Sequence, residues 1–167
     1  MKKILYVVMV ALLAACANKA IKPDAEGVQE NKSATISSEN VTAKPTINPL
    51  IDPTNILSKR SVYFGFDEYV VNEKYNSMVL SHARYLRDNS SAKIRLNGHT
   101  DERGSREYNL ALGQRRADSV KQVMTLAGTQ EDQIESVSYG EEKPQAFGHD
   151  EASWAENRRV DIRYAGE

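Results

Sequence analysis

Apolar positions fall into three regimes along the chain. Residues 4–13 form an unbroken apolar run behind Lys2 and Lys3. Residues 17–55 hold no sustained period of either two or 3.6, and Pro23, Pro45, Pro49 and Pro53 punctuate them. Beyond Leu57 the pattern becomes periodic. Val62, Phe64 and Phe66 alternate with other residues and predict a strand ending at Asp67. Asn72 is placed to cap a helix whose stripe is Tyr75, Met78, Val79, His82, Ala83 and Leu86. Ile94, Leu96 and Gly98 alternate with Arg95, Asn97 and His99, predicting a second strand before a polar loop at 100–107. Asn109 then opens a second helix, with Gly113, Ala117, Val120, Met124 and Ala127 on one face and Gly128 at its end. Residues 134–139 and Arg159–Tyr164 read as further strands, with a long loop between them. The order β-α-β-α-β-loop-β predicts an α/β fold, an α+β sandwich in which helices cover one face of a mixed sheet.

Composition divides the chain in the same places. Apart from Tyr6, every aromatic residue lies at or beyond Tyr63, so a core belongs to the C-terminal part. The expected organisation is a signal peptide at 1–15, a lipidated N-terminus and flexible tether at 16–55, and a domain at 56–167. The apolar run falls short of the roughly 20 residues that span a bilayer. Lys2 and Lys3 supply the positive start of a secretory signal. Leu13-Ala14-Ala15-Cys16 resembles the lipobox of bacterial lipoproteins. That resemblance implies acylation of Cys16, cleavage before it, and, with Ala17 rather than Asp following, delivery to the outer membrane with the domain facing the periplasm. Cys16 is the chain's one cysteine, so no intrachain disulfide can form. The tether has too few apolar side chains to offset its ordering entropy. Stretched out, it would reach roughly 130 Å.

Charge excludes more than it suggests. The formal net charge is −1 at pH 7, which gives no electrostatic reason to bind nucleic acid. His82, His99 and His149 lack metal-ligand spacing, and residues 101–104 lack the alternating acids of a calcium loop, so neither metal nor cofactor is expected. His82 reads as a satisfied helix residue, Trp154 as a packing anchor, and Arg158 and Arg159 as solvated or ion-paired strand edges. His99 reads as a polar strand residue, the alternative being that it lines the site or meets the adjacent loop. One constellation stands out. Asp101 follows a predicted strand end, and Asn109, Leu112 and Arg116 share one face of the next helix, rotated by roughly 100° from its core face. An acid and a base so placed can hold a zwitterion, the ammonium on Asp101 and a carboxylate on Arg116. Equally, the two can pair with each other or with neighbouring charges.

The block from Gly98-His99-Thr100-Asp101-Glu102-Arg103-Gly104 through Asn109, Leu112 and Arg116 resembles the signature of OmpA-like C-terminal domains. The likeness extends through 62–67, 138–144 and 157–160. It implies non-covalent binding of peptidoglycan through the diaminopimelate of the stem peptide. By that resemblance Asp101 and Arg116 are the ligand-pairing acid and base, and Asn109 and Leu112 occupy matching helix positions. The Phe66-Asp67 loop matches the family segment whose backbone amides help to hold the ligand's carboxylate, which implies the same role here. Thr100 stands where enteric members carry Ala, a change that alters pocket polarity. Lipid-anchored members of the family also imply a partner, the periplasmic β-propeller TolB of the Tol system, and a role in envelope integrity and constriction at division. The competing classes are a cell-wall-processing enzyme and a structural lipoprotein without a ligand. No nucleophile beside a base is visible, so no catalytic residue is assigned.

Overall fold

The computed structural model describes residues 48–166, so the signal peptide, Cys16 and most of the tether lie outside the described residues. The strands and helices are β1 (Ser61–Tyr63), α1 (Asn76–Asp88), β2 (Ile94–His99), α2 (Arg106–Leu126), β3 (Ile134–Gly140), α3 (Glu151–Asn157) and β4 (Arg159–Tyr164). The strands form one mixed sheet in the order β1-β4-β2-β3. β4 runs antiparallel to both β1 and β2, and β2 runs parallel to β3.

Register explains the layering. Val62 faces Val160, Val160 faces Gly98, and Leu96 faces Ile162, so one sheet surface is apolar. Against it lie Met78, Val79, Ala83 and Leu86 of α1 with Ala117, Val120 and Met124 of α2. The alternate positions Ser61, Asp161, Asn97 and Arg95 fall on the opposite surface, as the period of two requires. The predicted mixed sheet with helices on one face is therefore present.

Several boundaries differ from the sequence expectation. β1 stops at Tyr63, because its sole partner begins at Arg159. Phe64 is still buried and its N–H reaches the Arg158 carbonyl at 2.9 Å, but the chain then turns and leaves Phe66 61% exposed. Asn72 caps a 3-10 turn, Glu73–Tyr75, that leads into α1 rather than capping α1 itself. α2 begins at Arg106, a turn earlier than expected, because the Ser105 hydroxyl accepts the Tyr108 N–H as an N-cap. Its end follows the prediction: Gly128 has φ 95°, and the Gly128 and Thr129 N–H groups bond the Thr125 and Met124 carbonyls. The loop before β4 contains α3, capped by Asp150. Residues 48–55, placed in the tether by composition, carry Leu50 packed on the core, and the Leu50 carbonyl accepts the Arg60 Nη2.

Backbone contact fixes α2 on the sheet. A Cβ on Gly98 would lie 1.9 Å from the Gly113 carbonyl oxygen, so only glycine lets β2 and α2 approach this closely. That approach sets Arg116, one turn on, under the C-terminal end of β2.

Candidate functional site

Phe66, Asp67, Asp101, Asn109, Leu112 and Arg116 all line one cavity of about 260 Å³. Thr100, Arg103, Gly104 and Tyr108 complete it. Three segments meet there: the turn after β1, the loop after β2, and the first three turns of α2.

Arg116 forms the floor and is fully buried. Its Nε donates to the Glu68 carbonyl at 2.7 Å, Nη1 to His99 at 2.9 Å and Nη2 to Gly65 at 3.1 Å. A guanidinium has five N–H bonds, so three carbonyls hold it while two N–H bonds remain for another acceptor. Burial pushes its pKa down to about 10, against the opposing pull of Asp101. It stays charged near neutrality.

Asp101 does not pair directly with Arg116. Its Oδ1 accepts the Arg103 backbone N–H (3.1 Å) and Nε (3.2 Å), and its Oδ2 accepts Arg103 Nη2 (2.7 Å) and Arg158 Nη1 (3.2 Å). These bonds fill the roughly four acceptor positions of a carboxylate. Burial alone would raise its pKa, but the bonds from Arg103 and Arg158 outweigh that and hold it below the usual range. A carboxylate held ionised in this way cannot serve as a general acid. The cavity lining contains no histidine, serine or cysteine to pair as nucleophile and base.

The remaining lining residues are positioned by local bonds. Asp67 has φ 57°, a left-handed conformation uncommon outside glycine. Among the described residues, the Phe66 and Asp67 N–H groups make no backbone hydrogen bond, and successive free amides in such a turn suit an anion. Tyr108 donates its hydroxyl to Asp67, and Asn109 donates Nδ2 to Glu141 at 2.5 Å.

Sequence reasoning missed two arginines. Arg158 is ion-paired, one of the two expected forms, but it is buried at the site: its Nε, Nη1 and Nη2 bond the Phe64 carbonyl, Asp101 and Glu151. The signal was the pair of arginines before a strand, which becomes informative once that strand is known to be central. Arg103 forks Asp101 with its guanidinium stacked between Phe66 (4.2 Å) and Trp154 (4.1 Å). Trp154 Nε1 donates to Glu102, which also bonds His149, so Trp154 anchors α3 to the site loop.

His82 is fully buried between the Tyr164 hydroxyl and the Lys59 carbonyl, at 2.8 and 2.9 Å. His99 stacks on Tyr139 and stands 3.7 Å from Asp161, on the sheet surface opposite the core; only its carbonyl reaches the site. Arg159 is buried beside Asp161. Among the described residues no group of three or more acidic, histidine or cysteine side chains could hold a metal. Nor is any helix there long and apolar enough to cross a membrane.

Comparison with known proteins agrees with this architecture. Residues 63–158 match the profile of the OmpA family. The chain is 49% identical over 104 residues to the peptidoglycan-associated lipoprotein of Pasteurella multocida, covering 62% of this chain and 69% of that one. It is 50% identical over 101 residues to its counterpart in Legionella pneumophila, covering 60% of this chain and 57% of that one. The crystal structure of the peptidoglycan-associated lipoprotein from Burkholderia pseudomallei superposes with a TM-score of 0.69 at 53% identity, over 70% of this chain and 99% of that one. The C-terminal domain of Helicobacter pylori MotB, at 21% identity and a TM-score of 0.60, shares the fold. On these matches the chain belongs to the OmpA family, a structural and non-enzymatic family, and stands beside its peptidoglycan-associated lipoproteins.

Proposed function

We propose that this protein is an outer-membrane lipoprotein that holds peptidoglycan through the zwitterionic end of diaminopimelate in the stem peptide. The observation that carries the reading is the convergence of Asp101 and Arg116, both buried, on one cavity of about 260 Å³ lined by the other four candidate residues. The ligand's carboxylate takes the two remaining Arg116 N–H bonds and the free amides at Phe66 and Asp67. Its ammonium pairs with Asp101. Because Asp101 already has its acceptors filled, the ammonium takes the place of the Arg103 fork, whose side chain is 31% exposed and can swing outward. Arg158 stays and keeps Asp101 aimed.

Acylated Cys16 anchors the other end in the outer membrane, and residues 17–55 bridge to the domain in the periplasm. The exposed rim of the cavity, Phe66 and Tyr108, is where TolB docks in competition with the wall. Within the Tol system this tether supports envelope integrity and constriction at division.

The test is co-sedimentation of the purified lipoprotein, in detergent, with diaminopimelate-type sacculi. Wild type sediments with the wall; Asp101→Asn and Arg116→Lys, each first shown by circular dichroism to be folded, stay in the supernatant, and added TolB releases the wild type. Sedimentation of both variants like wild type would sink the site, co-occupancy with TolB would sink the competition, and no wild-type binding would leave a structural lipoprotein without a ligand.

A further inference from the structure

Tyr108 and Asp67 both line the cavity and both are exposed at its rim, Tyr108 on the first turn of α2 and Asp67 on the turn after β1. The Tyr108 hydroxyl donates to Asp67 Oδ1, and among the described residues no other group bonds the Asp67 carboxylate. That bond pushes the tyrosine pKa up, so the hydroxyl stays a donor at neutral pH. Arg116 lies against the same turn. Its Nη2 bonds the Gly65 carbonyl and its Nε the Glu68 carbonyl, so the guanidinium holds the backbone on both sides of Asp67. Burial pushes the Arg116 pKa down, and the Asp67 charge is among those that oppose the drop. A carboxylate on that turn competes with any other anion for the two N–H bonds that Arg116 leaves open, because a guanidinium takes a carboxylate as a matched fork.

We propose that Tyr108 is a positioning residue of the site: its hydroxyl holds the Asp67 carboxylate at the rim and so keeps it off Arg116. The inference rests on the reading of that cavity as the diaminopimelate site. Released from Tyr108, the Asp67 carboxylate turns inward and takes the open Arg116 N–H bonds, standing where the ligand's carboxylate belongs. Held outward, it leaves those bonds to the ligand. Tyr108 thus acts on affinity through Asp67, and its hydroxyl has no effect once the Asp67 charge is gone.

The experiment is calorimetric titration of the mature lipoprotein in detergent with the tripeptide L-alanyl-D-isoglutamyl-meso-diaminopimelate, alongside thermal melting. Tyr108→Phe removes only the hydroxyl and is expected to bind the tripeptide about tenfold more weakly when Asp67 is present. The same change is then made in an Asp67→Asn background, where the side chain is neutral and asparagine tolerates the left-handed backbone, φ 57°. There it should cost less than about threefold. Tyr108→Phe should also melt no lower than wild type, because the Asp67–Arg116 pair replaces the lost bond. Equal losses of affinity in both backgrounds overturn the inference, as Tyr108 would then act without Asp67. A melting point lowered alike in both backgrounds marks a structural role and overturns it too. So does a Tyr108→Phe protein that binds like wild type while Asp101→Asn still loses binding, a result that leaves the site reading intact. Unaltered binding by Asp101→Asn would strike at the site reading itself.

Discussion

A buried arginine is tolerable when its N–H groups are met, and Arg116 meets three backbone carbonyls before any ligand arrives. The same carbonyls fix where its remaining N–H bonds point, which prepares the floor for a carboxylate. Asp101 is prepared in the opposite sense, ionised and saturated. Both residues were legible in the sequence as types at a spacing; their actual partners were not. His99 shows a different consequence of burial. Burial, then the neighbouring Arg159 charge, push its imidazole pKa down to about 4, and Asp161 offsets this only in part. A histidine whose folded pKa lies below its unfolded value stabilises the fold while neutral. That contribution is complete above about pH 6.5 and disappears as the pH falls toward 4, a loss of about 3 kcal/mol. Urea unfolding at pH 7 and pH 4.5 should show this loss in wild type and a much smaller one in His99→Gln; equal losses would disprove it. Asp101, with its lowered pKa, acts in a lower window, stabilising above the usual carboxylate range and losing that contribution as pH drops through its folded value.

At the scale of elements, the longest periodic segments were the most legible. α1, β2, α2 and β4 lie where their hydrophobic repeats place them, because each repeat must meet one apolar surface. β1 was over-extended by a period of two that continues through Phe66 after the partner strand has ended. α3 escaped notice because seven residues with few apolar side chains show no period; its N-cap Asp150 was the available signal. That short helix matters to the site, since it carries Trp154 against Arg103 and Glu102. Trp154 is the chain's single tryptophan, so its emission reports on the Arg103 stack. If the ligand's ammonium displaces Arg103 from Asp101, saturating tripeptide should shift and change the intensity of that emission. Constant emission at saturation would show that Arg103 stays in place.

On the scale of the whole molecule, topology decides the chemistry. β4 lies between β1 and β2, antiparallel to both, so the residue preceding it arrives at the C-terminal end of β2. That is why Arg158 reaches Asp101 across 57 positions of sequence. The bridge between membrane and wall also belongs to this scale. Each buried methylene of an acyl chain contributes about 0.8 kcal/mol, so the two or three chains proposed on Cys16 would hold the protein firmly. Cys16→Ala should move the protein from the membrane fraction to the soluble periplasmic fraction while its domain still binds sacculi; retention in the membrane fraction would contradict lipid anchoring.

Local patterns determined a good deal here unaided: the order of the long elements and the residue types of an acid–base pocket. These are legible because they depend on spacing along the chain. What the tertiary structure alone decided depends on contacts distant in sequence. It turned Phe66 out to the rim, placed Arg103 and Arg158 rather than Arg116 on Asp101, and buried the Thr100 hydroxyl without a partner. Which charges meet follows from strand order and from the glycine contact that seats α2 on β2, and neither is written in any local period.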